Sequence, residues 1–159
     1  MTTDFTEAMS MLAGGVVMVT SWLDGRPWGM TVSAFTSVSS DPPTILVSLR
    51  SDSASASTIA ESGSFGVSVL ARRHRALARH GSLRGGPKYL EHVANPNPVG
   101  LSPAIAGALA HLDCEAVEQI DVADHSIFIG RVDDVQLASG GEPLVYFRRG
   151  YRRLEWVSS

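Results

Sequence analysis

The chain has 159 residues, of which 44% are hydrophobic and 18% charged, and its formal net charge is -3. A chain of this length can bury a core without disulfides or metals, so we expect a single domain over residues 1–159. The slightly acidic balance argues against a nucleic acid or another polyanion as the partner.

The sequence also predicts the compartment of the protein. Cys114 is the only cysteine, so no intrachain disulfide can form, and its apolar surroundings are typical of a core residue rather than a nucleophile. No apolar run approaches the roughly 20 residues that span a bilayer, and the amino-terminal residues lack the basic flank of a signal peptide. We therefore expect a cytoplasmic protein that does not enter a membrane.

The first quarter of the chain is predicted to form a helix and a β-hairpin. Apolar residues at helical spacing predict a helix over residues 6–12, with Thr6 as its N-terminal cap. β-branched and apolar residues then predict a strand over residues 16–22. The turn dipeptide at residues 24–25 folds this strand back onto a second strand over residues 28–39.

The next segments alternate strands with helices. A strand is predicted over residues 44–49, directly after two prolines. The serine-rich residues 51–57 favour the start of a short helix that ends near residues 62–63. Another strand is predicted over residues 65–70, and the basic and apolar residues 72–80 predict an exposed helix.

The last part of the chain is predicted to be mostly extended. Glycine and proline clusters, the second at residues 95–98, bracket a small predicted helix over residues 88–93. Three extended segments follow, at residues 108–120, 126–137 and 144–157. Many short strands with hairpin signals and few helices are typical of an antiparallel barrel or sandwich, because these folds close or cover their sheet edges.

Four blocks of sequence resemble the short flavin reductases that serve two-component monooxygenases. In chain order they are residues 29–39, 41–43, 124–130 and 141–146. Each block is weak alone, but their order and spacing extend the resemblance over nearly the whole chain. The resemblance implies a mainly β fold, an antiparallel Greek-key split β-barrel of the FMN-binding type with a few short helices. It also implies a homodimer, with FMN or FAD bound in a groove where the two subunits meet.

The first block suits a flat polar ligand because small hydroxylated residues stand among strand-formers. The flavin ring exposes carbonyl oxygens and nitrogens along one edge, which backbone N–H groups and hydroxyls can hold beside an apolar surface. By resemblance, the residues that line the ring and ribityl chain are Thr31, Ser33, Ala34, Thr36 and Ser37, and Ser48 is a further cofactor-binding candidate. The alternative is that these hydroxyls decorate one face of an exposed strand.

The flavin phosphate is expected after the third strand. Arg50, Ser53 and Ser55 match the family pattern of a basic residue and serines that lead into a helix. A positive charge, hydroxyls and a helix N-terminus all favour an anion. The alternative is a solvated serine-rich loop with an N-cap, and the pattern does not decide which serine of residues 51–57 contacts the phosphate.

The resemblance associates Asp124 and His125 with the pyridine nucleotide. They are the catalytic candidates, placed to position nicotinamide over the flavin or to stabilise its charge. Ala123 stands where the family usually has glycine, which puts the local turn in question because glycine permits backbone angles that alanine avoids. The alternative is a turn aspartate that caps an exposed histidine.

Three further positions follow from the resemblance. The position of Lys88 lies near the cofactor in the family. The resemblance places Tyr151 at the edge of the active site, in a closing hairpin. One of the arginines within residues 148–153 of this hairpin is expected to contact a cofactor phosphate. A solvated hairpin is the alternative. Gly81 stands where the family commonly has an aromatic residue, so some flavin packing is expected to be lost.

The resemblance implies an NAD(P)H:flavin oxidoreductase. Hydride would pass from NADH or NADPH to FMN or FAD, and the reduced flavin would go to a partner monooxygenase, with no protein nucleophile required. Two other functions stay open at this point. One is a flavin-dependent enzyme on the same barrel that acts on another small molecule, and the other is a flavin-binding module without turnover.

Overall fold

A computed structural model describes residues 2–95 and 102–157 of the protein. The helices are α1 (Thr2–Ser10), α2 (Ala54–Ser62) and α3 (Arg75–Ser82), with a 3-10 turn at Arg72–His74 before α3. The strands are β1 (Gly14–Gly15), β2 (Val17–Leu23), β3 (Arg26–Val32), β4 (Phe35–Ser40), β5 (Pro43–Arg50), β6 (Ser64–Val69), β7 (Ala110–Val122), β8 (His125–Leu137), β9 (Val145–Phe147) and β10 (Gly150–Arg152).

The main sheet is an antiparallel barrel that is open along one seam. Its seven strands run in the order β3-β2-β6-β7-β8-β5-β4, so β3 and β4 are its two edges. These edges are nevertheless joined in the chain by Ser33 and Ala34 alone. The sheet must therefore curl until its edges meet at this corner, although they do not pair with each other. The predicted antiparallel split barrel is confirmed, and the strand expected over residues 28–39 is in fact two strands.

The barrel encloses one apolar cluster and a second cluster lies outside it. Val17 and Val19 of β2 face the inner cluster, which includes Phe65 and Phe128. Met18, between them, belongs to the outer cluster under α3. Alternation along a strand sends successive side chains to opposite faces, so β2 is buried on both. This explains why its sequence is continuously apolar.

Several helix predictions need correction. The first helix covers Thr2–Ser10, and Thr6 lies inside it, where its hydroxyl donates to the Thr3 carbonyl (3.0 Å) instead of capping the N-terminus. Residues 88–93 are not helical, because Tyr89 pairs with Trp28 in an antiparallel bridge that extends the β3 edge. Of the turn cluster predicted at residues 95–98, only residue 95 is among the described residues.

Other local predictions are confirmed. The turn at residues 24–25 joins β2 to β3, and both of its residues have positive φ, as tight hairpin turns require. The serine-rich segment starts α2, and Gly63 ends it with a left-handed φ of 72°. The extended segment at residues 144–157 contains the hairpin β9–β10. Its turn residues, Arg148 and Arg149, have φ values of 47° and 59°.

A buried polar cluster lies between β6 and β7 and consists of Ser68, Ser102, His111 and Asp113. Ser68 Oγ lies 2.8 Å from His111 Nδ1, and Ser102 Oγ lies 3.0 Å from His111 Nε2. The backbone N–H of Ser102 donates to Asp113 Oδ1 (2.9 Å). Burial lowers the pKa of His111, which therefore stays neutral within this network. The cluster ties the chain that follows residue 101 to the barrel wall.

Candidate functional site

A cavity of about 370 Å³ lies between the start of α2, strand β3 and the loop after α3. We call it the α2 cavity, and its lining includes Met30, Arg50, Ser53, Ser55, Arg84 and Lys88. Four of these residues were predicted from the sequence, and they come from two separate segments, residues 50–55 and the loop at Lys88. The fold therefore brings the expected basic and hydroxyl groups to one place. Burial lowers the pKa of Lys88, the expected effect on an ammonium group set partly into the wall.

The two serines at the start of α2 have different tasks. Ser53 Oγ accepts the Ala56 N–H (3.1 Å) and donates to the Arg50 carbonyl (2.7 Å), so it is committed to capping the helix. Ser55 is 2% exposed and lines the cavity, and its hydroxyl has no hydrogen-bond partner among the described residues. A buried hydroxyl without a partner, at a helix N-terminus in a cavity lined by three cations, fits a phosphate.

Arg50 carries two carboxylate partners at the edge of this cavity. Its Nε and Nη2 donate to the two oxygens of Asp52 at 3.0 and 2.9 Å, and its Nη1 donates to Asp124 at 3.1 Å. The other oxygen of Asp124 lies 2.8 Å from His125 Nδ1. The pKa of Asp124 is lowered, first by its hydrogen bond to His125. Arg50, predicted to bind the phosphate, is thus connected by hydrogen bonds to Asp124 and His125, predicted to contact the nucleotide.

Asp124 and His125 reach this position through the β7–β8 hairpin. His125 begins β8 and pairs with Arg50 of β5 and with Val122 of β7. Ala123, in the turn, has a φ of 53°, in the left-handed region that favours glycine. The hairpin therefore forms with alanine in a strained conformation, and it still places Asp124 in contact with Arg50.

Replacing Ala123 with glycine is expected to raise the free energy of unfolding by about 0.5–1 kcal/mol, because it removes this strain at a small entropic cost in the unfolded chain. Thermal unfolding of the variant and the parent checks this. A matched control is Ala138→Gly, since Ala138 lies in a loop and does not have a positive φ. Equal or lower stability of the Ala123 variant would contradict the strained turn.

The residues predicted to line the flavin ring follow the corner of the barrel. Ser33 and Ala34 form the corner, and Thr36 and Ser37 lie on the edge strand β4, all four exposed. One side of β4 pairs with β5, and its other side leaves backbone groups available to a ligand. Ser48 is half-buried on β5, and its N–H donates to the Ala34 carbonyl (3.0 Å), which holds the corner in place.

Thr31 has a structural bond that the sequence did not indicate. Its hydroxyl donates to the Ala78 carbonyl of α3 (2.7 Å). Gly81 explains how α3 comes so close, because a Cβ there would lie 3.1 Å from the Thr31 nitrogen and nearer still to its hydroxyl. An aromatic residue at position 81 has no room in this packing.

A second cavity of about 440 Å³ lies between α3, the corner and the β9–β10 hairpin. We call it the arginine cavity, and its lining includes Ser33, Arg75, Arg79, Arg149, Tyr151 and Arg152. Tyr151 therefore lies in a different cavity from Lys88, but Ser82 lines both, so the two cavities adjoin. Burial raises the pKa of the Tyr151 hydroxyl. Sequence reasoning missed Arg75 and Arg79, although their four-residue spacing on a predicted helix was a usable signal.

Cys114 lies in neither cavity. It is buried on β7, and burial raises the pKa of its thiol to about 12, so it is not a thiolate nucleophile at neutral pH. Across residues 2–95 and 102–157 there is no group of three or more histidine, cysteine or acidic side chains that could hold a metal ion. In the same residues no helix is both long and apolar enough to cross a bilayer.

Comparison with known proteins gives a consistent result. Residues 9–155 match the family described as the flavin reductase like domain. The chain is 36% identical to the reductase component of 4-hydroxyphenylacetate 3-monooxygenase from Thermus thermophilus, over 97% of each chain. It is 34% identical to an NADH-dependent flavin reductase from a Rhodococcus species, over 94% of this chain and 84% of that protein.

Solved structures agree with this result. BorF, the flavin reductase component of a bacterial two-component tryptophan halogenase, matches with a TM-score of 0.87 at 35% identity, over 97% of this chain and 98% of that one. The flavin reductase PheA2 matches with a TM-score of 0.86 at 30% identity and the same coverage.

Proposed function

This chain belongs to the flavin reductase like domain family, and on that premise we propose that it is an NADH-dependent flavin reductase that transfers a hydride from NADH to FMN or FAD. The reduced flavin then serves a partner monooxygenase, in keeping with several relatives that are named as reductase components of monooxygenases. One structural observation carries the proposal. Ser55, whose hydroxyl is unpartnered, lines the α2 cavity together with Arg50 and Lys88 at a helix N-terminus, in a chain that matches the family from residue 9 to residue 155.

The chain's own residues bind and align the two reactants. Arg50, Ser55 and Lys88 hold the flavin phosphate by charge and hydrogen bonding. The corner at Ser33 and Ala34 and the free side of β4 offer backbone groups to the polar edge of the ring. When bound, the flavin supplies the electron-accepting ring and NADH supplies the hydride. No side-chain nucleophile is needed, and the rate depends on how well the two rings are held together.

His125 is positioned to orient the nicotinamide nucleotide. Because the Asp124 carboxylate accepts the hydrogen bond, His125 Nδ1 is the donor, and Nε2 is left to contact a ligand. The imidazole is 43% exposed, so this nitrogen is accessible to a ligand. Asp124 also accepts a hydrogen bond from Arg50. It therefore fixes the position of His125, which contacts the nucleotide, relative to Arg50, which contacts the phosphate.

Replacing His125 with alanine is expected to raise the KM for NADH about three- to tenfold, because one hydrogen bond to the nucleotide is lost. The Kd for FMN is expected to stay unchanged. Steady-state kinetics at saturating FMN and a separate FMN titration measure the two quantities. His92→Ala is the matched control, since His92 is exposed and lines neither cavity. A variant with wild-type KM for NADH would remove His125 from the nucleotide site.

We also propose that the protein works as a homodimer. The resemblance to the family implies this state, and the long β7–β8 hairpin supports it with exposed apolar side chains. Val117, Ile120 and Val122 are 52%, 41% and 53% exposed on β7. Apolar groups clustered on one strand are typical of a contact surface. Sedimentation measurements are expected to give twice the chain mass, and a monomer at micromolar concentration would contradict this state.

The function is tested by mixing the purified protein with NADH and free FMN or FAD in air. We expect NADH absorbance to fall only when flavin is present. No flavin-dependent loss of NADH would reject the proposal. A protein that binds flavin but does not react with NADH would be a flavin-binding module instead.

A further inference from the structure

The arginine cavity concentrates positive charge in a protein whose net charge is negative. Arg75 and Arg79 project from α3 one helical turn apart, and Arg149 and Arg152 come from the β9–β10 hairpin on the opposite side. No aspartate or glutamate is among the residues that line the cavity. Two separate segments of the fold thus direct arginines into one space.

Within the described residues, only one of these four arginines forms an ion pair. Arg149 pairs with Glu7 of α1 at 3.1 Å, and Arg152 Nη1 donates to the Tyr151 carbonyl at 3.1 Å. Arg75 and Arg79 have no ion pair within the described part of the chain. Like charges four residues apart repel on a helix, so the pair weakens α3 when no anion is present. An anionic ligand between the helix and the hairpin would relieve this repulsion.

Aromatic rings lie beside the charges. Tyr146 and Tyr151 face each other across β9 and β10, with ring centroids 5.4 Å apart. Both line the arginine cavity. A planar base can pack on such rings while the arginines bind phosphate oxygens in bidentate fashion. The volume of about 440 Å³ lies within the range of about 300–1,000 Å³ that small-molecule sites occupy.

The two cavities are close enough to serve one ligand or two stacked ones. Ser82 at the end of α3 lines both of them, and Ser33 of the barrel corner lines the arginine cavity. We propose that the arginine cavity binds the adenosine-phosphate half of a dinucleotide whose other half reacts at the barrel corner. This inference rests on the proposed function and deepens it. FAD and NADH both carry such a half, whereas FMN does not.

Binding of ADP is the decisive test, because it does not require turnover. Isothermal titration is expected to show that the wild-type protein binds ADP and that the double variant Arg75→Gln/Arg79→Gln binds it at least about tenfold more weakly. Both arginines are exposed, so the variant should fold. Arg72→Gln is the matched control, since Arg72 lines neither cavity and pairs with Glu142. Equal ADP binding by wild type and double variant, or none by either, overturns the proposal.

Two further measurements identify the dinucleotide. If the half belongs to FAD, the double variant shows a raised Kd for FAD beside an unaltered Kd for FMN. If it belongs to NADH, the KM for NADH rises with FMN as the acceptor. Arg75→Lys/Arg79→Lys, which keeps the charge, should recover part of the loss. No change in either quantity also overturns the proposal. ADP binding without flavin-dependent NADH oxidation would instead reject the flavin reductase function and leave the adenosine-phosphate site standing.

Discussion

The Arg50→Gln variant is expected to bind FMN on the order of tenfold to a hundredfold more weakly than the wild-type protein, because the phosphate loses the positive charge of the guanidinium and a charge-assisted hydrogen bond. Riboflavin has the same ring but no phosphate, so its affinity should not change. Fluorescence titration with both ligands separates loss of the phosphate contact from loss of the site. An equal effect on FMN and riboflavin would contradict the assignment of Arg50.

Asp52 provides a second variant that should act in the opposite direction. Its carboxylate occupies the Nε and Nη2 edge of Arg50, which is the edge that a phosphate would use. Asp52→Asn is therefore expected to tighten FMN binding about three- to tenfold without affecting riboflavin. Asp41→Asn is the matched control, since Asp41 is exposed and lies in neither cavity. If Asp52→Asn weakens FMN binding, Asp52 does not compete with the phosphate.

Replacing Gly66 with alanine is expected to lower the free energy of unfolding by about 2–4 kcal/mol and Tm by roughly 5–15 °C. A Cβ at this position would lie 2.6 Å from His111 Cε1 and closer still to the hydroxyls of Ser102 and Thr20. All three residues are buried, and Ser102 and His111 cannot move aside without breaking the buried polar cluster. Thermal and denaturant unfolding measure the loss.

Gly140→Ala is the control for this prediction. A Cβ there meets no atom within 4 Å, and Gly140 does not have a positive φ. We expect its stability to stay within about 0.5 kcal/mol of the wild type. If Gly66→Ala is equally harmless, the buried polar cluster is not packed against β6 as described.

The parts of the fold that the sequence predicted are those with local chemical causes. The turn at residues 24–25 needs positive φ values, and an Asp-Gly pair is typical of such a turn. In the same way, Ser53 indicates the start of α2 and Gly63 indicates its end. The break at the barrel corner has no such signal, because residues 28–39 keep a strand-like composition through it. The corner follows from closure of the whole sheet, and no local pattern encodes that.

In the candidate site too, local sequence features were predicted, whereas contacts between side chains were not. Arg50 and the two serines were recognised as an anion site, but only the three-dimensional structure separates the capping Ser53 from the unpartnered Ser55. The pairing of Asp52 with Arg50 was not predicted, because two nearby opposite charges need not meet. The buried polar cluster also escaped prediction, since it joins residues 68, 102, 111 and 113 from separate segments.

Anaerobic mixing of limiting NADH with excess FMN and a catalytic amount of this protein shows whether hydride passes from the nucleotide to the flavin. We expect the flavin absorbance to bleach until NADH is exhausted, with one FMN reduced for each NADH consumed, since a hydride carries two electrons. FMN that binds to the protein but stays oxidised, with NADH unconsumed, would contradict the assignment of this chain as a flavin reductase.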